Sequence, residues 1–320
     1  MKNSHQKFCF ICGGEMTPNL TGQDYLYKTS TEKYVVLKCK DCGLEKIHPT
    51  PSNREIIIFY PKSYYSYNLA SPETRKGVFT KIREKIVEIS YHSNSKKDLL
   101  YCLALICKPF FFGLPLSMGK SKSFLDVGCG DGYNLHLMQK YGWEVTGFEI
   151  GEKKKSADIY FDRDLSRVDF QQKKFGVIRV WHVLEHTPDP KKFVGKLVEL
   201  LTKNGKIYLG LPNTNSLYAR LFGKYWYNRD LPRHLYNYNP ENIKILFGKN
   251  GLKLIKVKYA SAGGFLGSMQ HLINSRLGSK INLIDNFLLV LLFFPLDILC
   301  NLLRQGDCLS LEISNEKEYT

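Results

Sequence analysis

The chain has 320 residues, a mass of 36.9 kDa and 43% hydrophobic residues, which excludes an intrinsically disordered chain and allows one large α/β domain with a small appendage. Its formal charge of +16 is spread evenly: residues 1–120 hold 18 Lys+Arg against 10 Asp+Glu, and residues 121–320 hold 28 against 20, so each part carries +8. A concentrated basic tail is thereby excluded, while a solvated surface, an anionic membrane and nucleic acid remain as uses for the charge.

The first ten residues, MKNSHQKFCF, contain no apolar core followed by a small-residue cleavage site. The sequence therefore predicts a cytoplasmic chain with reduced thiols. Cys9-x-x-Cys12 and Cys39-x-x-Cys42 lie 26 residues apart, each pair followed directly by glycine (Gly13, Gly43). Two-residue spacing lets both thiolates of a pair reach one ion, and the glycine lets the backbone turn beneath the sulfurs. Four thiolates complete a tetrahedron, so residues 1–50 are predicted to be a zinc ribbon holding a structural Zn2+ on Cys9, Cys12, Cys39 and Cys42. Such a module serves nucleic acid, protein or merely a neighbouring domain. The other five cysteines, Cys102, Cys107, Cys129, Cys300 and Cys308, are read as buried small hydrophobes.

A helix is expected from a Ser52 or Asn53 cap through Ile56 to Phe59, then a tyrosine-rich stretch (Tyr60, Tyr64, Tyr65, Tyr67), then helices over 72–118. Residues 51–120 thus read as a helical linker or lid region. From Ser123 short apolar runs (FLDVG, WEVTGFEI, FGVIRVW, KIYLGLP, LKLIKVKYA) alternate with helical patterns such as Pro190 to Leu201, and a last β-type run spans Asp307 to Ser314. Alternation of this kind predicts an α/β fold with a doubly wound, mostly parallel sheet over 121–320. Two segments are unusually apolar, Leu99 to Gly119 and Ile281 to Leu303, the second within a helical insertion at about 265–305. Charges and prolines interrupt both, so neither reaches the roughly 18 apolar residues of a spanning helix. Core or lid helices and peripheral membrane contact both remain open.

Phe124 to Gly132, FLDVGCGDG, runs off a strand into a helix, with glycines at alternate positions that let the backbone pass close under a ligand. Asp126 and Asp131 would repel a pyrophosphate but suit a cationic nucleoside. Glu149 ends the next strand 23 residues after Asp126, where a carboxylate can accept both ribose hydroxyls. In these residues, and in GFEI, VWHVLEHTPDP and GKIYLGLPN further on, the sequence resembles class I S-adenosylmethionine-dependent methyltransferases over about residues 123–260. The front cysteines together with GKYWYNRDLPRHLYNYNP at 223–240 resemble zinc-ribbon methyltransferases of cell-surface glycan and lipid pathways.

The resemblance implies a seven-stranded, Rossmann-like sheet and S-adenosylmethionine as cofactor. It implies that Asp126, Gly128, Cys129, Gly130 and Gly132 line the methionine and ribose, that Glu149 holds the ribose, and that Asp164 faces the adenine amino group. Trp181 and His182 would flank the cofactor and the methyl group. Two departures stand out: Gly176 occupies a position where the family usually has an acid, and Ile150 to Ile159 is short for a full helix. Methyl transfer is an in-line displacement that needs a base only when the acceptor keeps its proton until attack. His182, Glu185, His186, Arg233 and His234 are the polar residues expected near the acceptor, with His182, His186 and His234 as candidate catalytic histidines. A divalent ion on Glu185 and His186, and purely structural histidines, remain open. Tyr225, Trp226, Tyr227 and Arg229 suit stacking on a sugar or holding a phosphate, or else a packed lid. The expected acceptor is a small molecule, a glycan or a lipid-linked compound, methylated at oxygen. An RNA methyltransferase and an inactive zinc-ribbon scaffold are the alternatives.

Overall fold

The computed structural model describes residues 7–52, 55–61, 77–92, 97–108, 113–117, 121–150, 159–261 and 263–315. In chain order it begins with strands β1 (Met16–Gly22), β2 (Tyr34–Cys39) and β3 (Glu45–His48), then helices α1 (Val78–Tyr91) and α2 (Leu99–Cys107). The alternating part follows: β4 (Ser123–Val127), α3 (Tyr133–Gln139), β5 (Glu144–Glu149), β6 (Ile159–Phe161), β7 (Phe175–Trp181), α4 (Pro190–Leu200) and β8 (Leu201–Pro212). Then come α5 (Leu217–Phe222), β9 (Tyr236–Asn237), α6 (Pro240–Gly248), β10 (Leu252–Ala260), α7 (Gly264–Leu277), α8 (Phe287–Leu302) and β11 (Cys308–Asn315).

The seven-stranded sheet has the order β10-β11-β8-β7-β4-β5-β6, with β4 parallel to both β5 and β7, and β5 parallel to β6. This is the doubly wound α/β architecture expected from the alternating runs. The order reverses at β4, and in open α/β sheets the crevice at the carboxyl ends of the strands beside such a reversal is where ligands bind. No helix among the described residues is long and apolar enough to cross a membrane.

The chain divides into two compact units. The first comprises Met1–Pro61, His182–Pro190 and Gly210–Leu311; the second comprises Lys62–Trp181, Lys191–Leu209 and Glu312–Thr320. In the second unit, Ile86 and Val87 of α1 and Ala104 of α2 share a core with Leu114, Phe124, Leu135, Met138 and Trp143. Part of the apolar stretch Leu99 to Gly119 is therefore core. Cys102, however, is exposed and Cys107 only half-buried, because α2 presents one side to its neighbours and carries apolar residues on both. The interval 151–158 and the tyrosines at 64, 65 and 67 lie outside the described residues.

In the first unit the cysteine-bearing segment forms an antiparallel sheet, β1-β2-β3, which β9 extends by pairing Glu45 with Asn237. Polar contacts with the 223–249 segment hold this sheet. Asn239 opens α6 with a reciprocal cap to Asn242, and both side-chain amides donate to the Cys42 carbonyl (3.0 and 3.4 Å). Lys249 Nζ donates to the Ile11 carbonyl at 2.6 Å, and Arg229 pairs with Glu45 where both are buried. The expected helix near Ser52 is one 3-10 turn, Ile56–Phe59, whose N-cap is Glu55 and not Ser52; Ser52 and Glu55 exchange reciprocal bonds just before it, and Asn53 lies outside the described residues. The turn buries none of its apolar residues, which is why it does not extend.

Arg233 is wholly buried and paired with Asp24 (2.8 Å) and Asp230 (2.6 Å); it also donates to the Phe59 carbonyl. This corrects its expected place near an acceptor, since its donors are already taken within the fold. The same holds for Trp226 and Arg229, which are buried and so do not present a stacking or phosphate surface. Burial pushes the Asp24 carboxyl up, but the bonds and charge of Arg233 and the Thr29 donors outweigh it and hold it below the ordinary range. Its contribution to stability is complete above the unfolded carboxylate value of about 3.9 and is lost as pH falls from there through the lower folded value. Arg233→Ala is expected to cost about 3–5 kcal/mol, because two carboxylates are left without their cation. Chemical denaturation of wild type and variant at pH 7 and pH 2.5 checks this; a loss at pH 7 no larger than at pH 2.5 would contradict it.

Candidate functional sites

Three constellations carry chemistry. In the second unit the loop after β4 places Gly128, Gly130 and Gly132 at φ of +76°, +58° and +79°, conformations that a side chain would strain. Five of its amides are consumed internally. Gly128 and Cys129 donate to the Phe148 carbonyl (2.8 and 3.2 Å), Gly130 to Glu149 Oε2 (2.5 Å), Gly132 to the Cys129 carbonyl (3.0 Å) and Tyr133 to Asp131 Oδ1 (3.1 Å). A phosphate cradle needs such amides aimed at the ligand. This loop instead offers a glycine floor edged by the half-buried carboxylates of Asp131 and Glu149.

Asp126, which the sequence suggested would line the ligand, is wholly buried; Arg179 of β7 donates to its Oδ1 at 2.8 Å and Asn134 Nδ2 lies 3.4 Å from its Oδ2. Its charge is thus matched from below. The sequence reading did not single out Arg179, although a cation inside the otherwise apolar run FGVIRVW was visible as a residue needing a buried partner. The Arg179 guanidinium also lies over the Trp181 ring, 5.1 Å from its centroid. Gly113, at φ +78°, abuts the same ring, and a Cβ there would come within 2.5 Å of it. Asp164 caps the turn Leu165–Arg167, accepting from Ser166 N and Oγ and from Lys192 Nζ (3.1 Å). Cys129 is buried beneath the loop.

The second constellation, in the first unit, lies around the turn Leu184–His186. His182, at the strained φ of +54°, has Nδ1 3.1 Å from Glu185 Oε1, while Glu185 Oε2 is buried without a hydrogen-bond partner. His186 Nδ1 lies 3.1 Å from the Arg233 carbonyl and 2.9 Å from Tyr60 Oη, and His234 Nδ1 lies 2.8 Å from the Asn228 carbonyl. Carbonyls only accept, so both rings carry their proton on Nδ1 and keep a lone pair on Nε2. The two rings meet edge to face at 4.6 Å, and ligand atoms of Glu185, His186 and His234 lie within 4.8 Å of one another. Burial, then the charge of His234, lowers His186 to about 4. Burial alone would raise Glu185, but the bond and charge of His182, with His186 and His234 adding, hold it down to about 2.

The third constellation is the cysteine quartet. Cys9 Sγ lies 3.6 Å from Cys42 Sγ and Cys12 Sγ 3.4 Å from Cys39 Sγ, with all four sulfurs within 4.8 Å of one another. Amides of Ile11 and Gly14 donate to Cys9 and Cys12 sulfurs at 3.4 Å. Sulfurs placed about 2.3 Å from a tetrahedral centre sit at these separations, so the four residues fit a zinc ion.

Residues 102–257 match the family model described as a methyltransferase domain. Over 156 residues the chain is 26% identical to a ubiquinone biosynthesis O-methyltransferase of Coxiella burnetii, a match covering 43% of this chain and 66% of that protein. A protein of the same name from Idiomarina loihiensis is 32% identical over 106 residues, 29% of this chain and 44% of its own. The matches thus span at most about two-thirds of these relatives. Among solved structures, a SAM-dependent methyltransferase from Archaeoglobus fulgidus aligns with a TM-score of 0.41 at 17% identity, covering 61% of this chain and 86% of that one.

Gly176 has a local packing reason. A Cβ there would come within 2.6 Å of Ser121 Cβ, and its amide donates to Ser123 Oγ at 2.9 Å. Gly176→Asp, which restores the acid usual at this position, is expected to destabilise the protein by about 1–3 kcal/mol through overpacking. Adding Ser121→Gly should recover much of that loss in thermal unfolding; an equally unstable double variant would refute the steric account.

Proposed function

We propose that this chain is an S-adenosylmethionine-dependent methyltransferase acting at an oxygen of a small-molecule, glycan or lipid-linked acceptor, with residues 1–50 as a zinc ribbon, 51–120 as a helical linker or lid region and 121–320 as the catalytic domain. The observation that carries it is the loop after β4: it has a glycine floor and carboxylate edges, and five of its amides are already spent. Such a loop repels phosphates and accepts a sulfonium nucleoside. Gly128, Cys129, Gly130 and Gly132 form the floor under methionine and ribose, Asp126 with Arg179 braces it, and Glu149 keeps its bond to Gly130 and accepts the ribose hydroxyls on its remaining lone pairs. Asp164 serves the adenine side and Trp181 flanks the cofactor. When bound, the cofactor supplies an activated methyl group, so the protein's part is alignment and exclusion of water.

His182 takes the acceptor's proton at Nε2, with Glu185 orienting the ring and stabilising its charged form. His186, lowered by burial, keeps a neutral ring on the acceptor side, and His234 packs edge to face against it. The relatives named for ubiquinone biosynthesis support a small-molecule acceptor over RNA, and the packing of Gly176 against Ser121 supports an intact site over a degenerate scaffold. A second reading rests on the unpartnered Glu185 Oε2: Glu185, His186 and His234 hold a divalent cation that polarises the acceptor oxygen.

Two measurements test these assignments. Isothermal calorimetry with S-adenosylmethionine should give heat for wild type and none for Gly128→Arg, whose melting temperature reports folding separately; a folded wild type without heat removes the cofactor assignment. Atomic absorption should find one zinc per chain, lost together with the ribbon's protease resistance in Cys39→Ser/Cys42→Ser. Metal content unchanged by that pair of substitutions removes the zinc assignment.

A further inference from the structure

The outer face of α8 carries none of the residues assigned to methyl transfer. Its inner face is fixed to the first unit: Cys300 and Leu296 pack with Tyr218, Trp226 and Phe265, and the buried Asp297 accepts from Tyr218 Oη (2.9 Å) and the Gly263 amide (2.8 Å). The other half of the circumference carries Phe287, Leu288, Leu291, Leu292, Leu299 and Leu302, all exposed, Leu288 to 73% and Leu292 to 68%. At 3.6 residues per turn these six fall within one half-cylinder, which presents no hydrogen-bonding side chain. Leu277 and Ile281 add further exposed apolar surface just before the helix. Soluble monomers rarely leave a contiguous patch of this kind uncovered.

We infer that this face of α8 docks on an anionic lipid surface and lies along it rather than through it. The helix has 16 residues with Pro295 inside it, about 24 Å of rise against a hydrocarbon core of about 30 Å. An arc without polar groups suits acyl chains, whereas a transient protein partner would meet about one hydrogen bond per 100–200 Å². Charge selects the lipid. Exposed cations stand at both ends, Arg276 and Lys280 before the helix and Arg304 after it, while Asp285 is the one exposed acid between residues 263 and 306. Arg304 also lines, with Lys38 and Arg220, a polar groove of about 450 Å³ whose single acid is Glu241, a lining suited to a phosphate headgroup. The inference deepens the lipid-linked reading of the acceptor and rests on it.

The test is flotation of the purified full chain with vesicles of phosphatidylcholine, with and without phosphatidylglycerol. Wild type should float with the anionic vesicles and be released by salt. Leu288→Glu/Leu292→Glu should reduce binding about tenfold or more with an unchanged melting temperature, because both side chains are exposed. If that variant melts lower, Arg220→Gln/Arg304→Gln decides: loss of the anionic preference supports the surface, and an unchanged preference overturns it. Wild type that stays at the bottom of the gradient, or glutamate variants that float as well as wild type, also overturn it. So does a lipid-free dimer that the glutamates dissociate, which would assign the face to a second copy of the chain. Calorimetry on the same sample separates the two readings: heat without flotation removes the lipid surface alone, and flotation without heat removes the methyl donor alone.

Discussion

A guanidinium cannot shed its charge when it is buried, so everything around Arg233 has to answer it. Its donors go to Asp24 from the ribbon, to Asp230 and to the carbonyl of Phe59, and its own carbonyl takes the Nδ1 proton of His186. His234 follows it directly and is turned by the carbonyl of Asn228. One buried cation therefore ties the ribbon to the segment that orients two histidines. With Arg229 on Glu45 and the Asn239 and Asn242 amides on Cys42, it makes the cysteine-bearing segment part of the first unit's polar framework. The cysteine-bearing segment is thus bound to its own chain along β3 and at the Ile11 and Cys42 carbonyls.

The loop after β4 follows a related rule, that buried donors and charges are satisfied. The aspartate within FLDVG reads in the sequence as a negative charge for the ligand, yet Arg179 beneath it cancels that charge. Preference for a cation then rests on Glu149 and Asp131 and on a negative fact about the backbone: the amides that would hold an anion are occupied by Phe148, Glu149, Cys129 and Asp131. The distinction between a phosphate loop and this one lies in where the N–H groups point, which glycine spacing does not encode.

The two apolar segments make the same point at the level of packing. Leu99 to Gly119 and Ile281 to Leu303 have similar composition. The first contributes Ala104 and Leu114 to a core and sets Gly113 against Trp181; the second leaves half a helix uncovered. Periodicity separates faces only when one of them is polar, and neither segment has a polar face to mark the outside.

What the residues alone determined is local: Cys-x-x-Cys-Gly pairs that turn tightly enough to bring sulfurs together, a glycine run that must break a strand, and apolar runs of strand length separated by helical periods. These follow from backbone geometry and from burial over a few residues. What only the tertiary structure decided is pairing across long stretches of chain. Arg233 with Asp24, Arg229 with Glu45 and Asp126 with Arg179 are each separated by 50 residues or more, and whether a charged side chain serves a ligand or a buried partner depends on which strand arrives beside it. Likewise Gly176 answers to Ser121 and not to chemistry, because Cβ contacts between segments are invisible until the segments are packed.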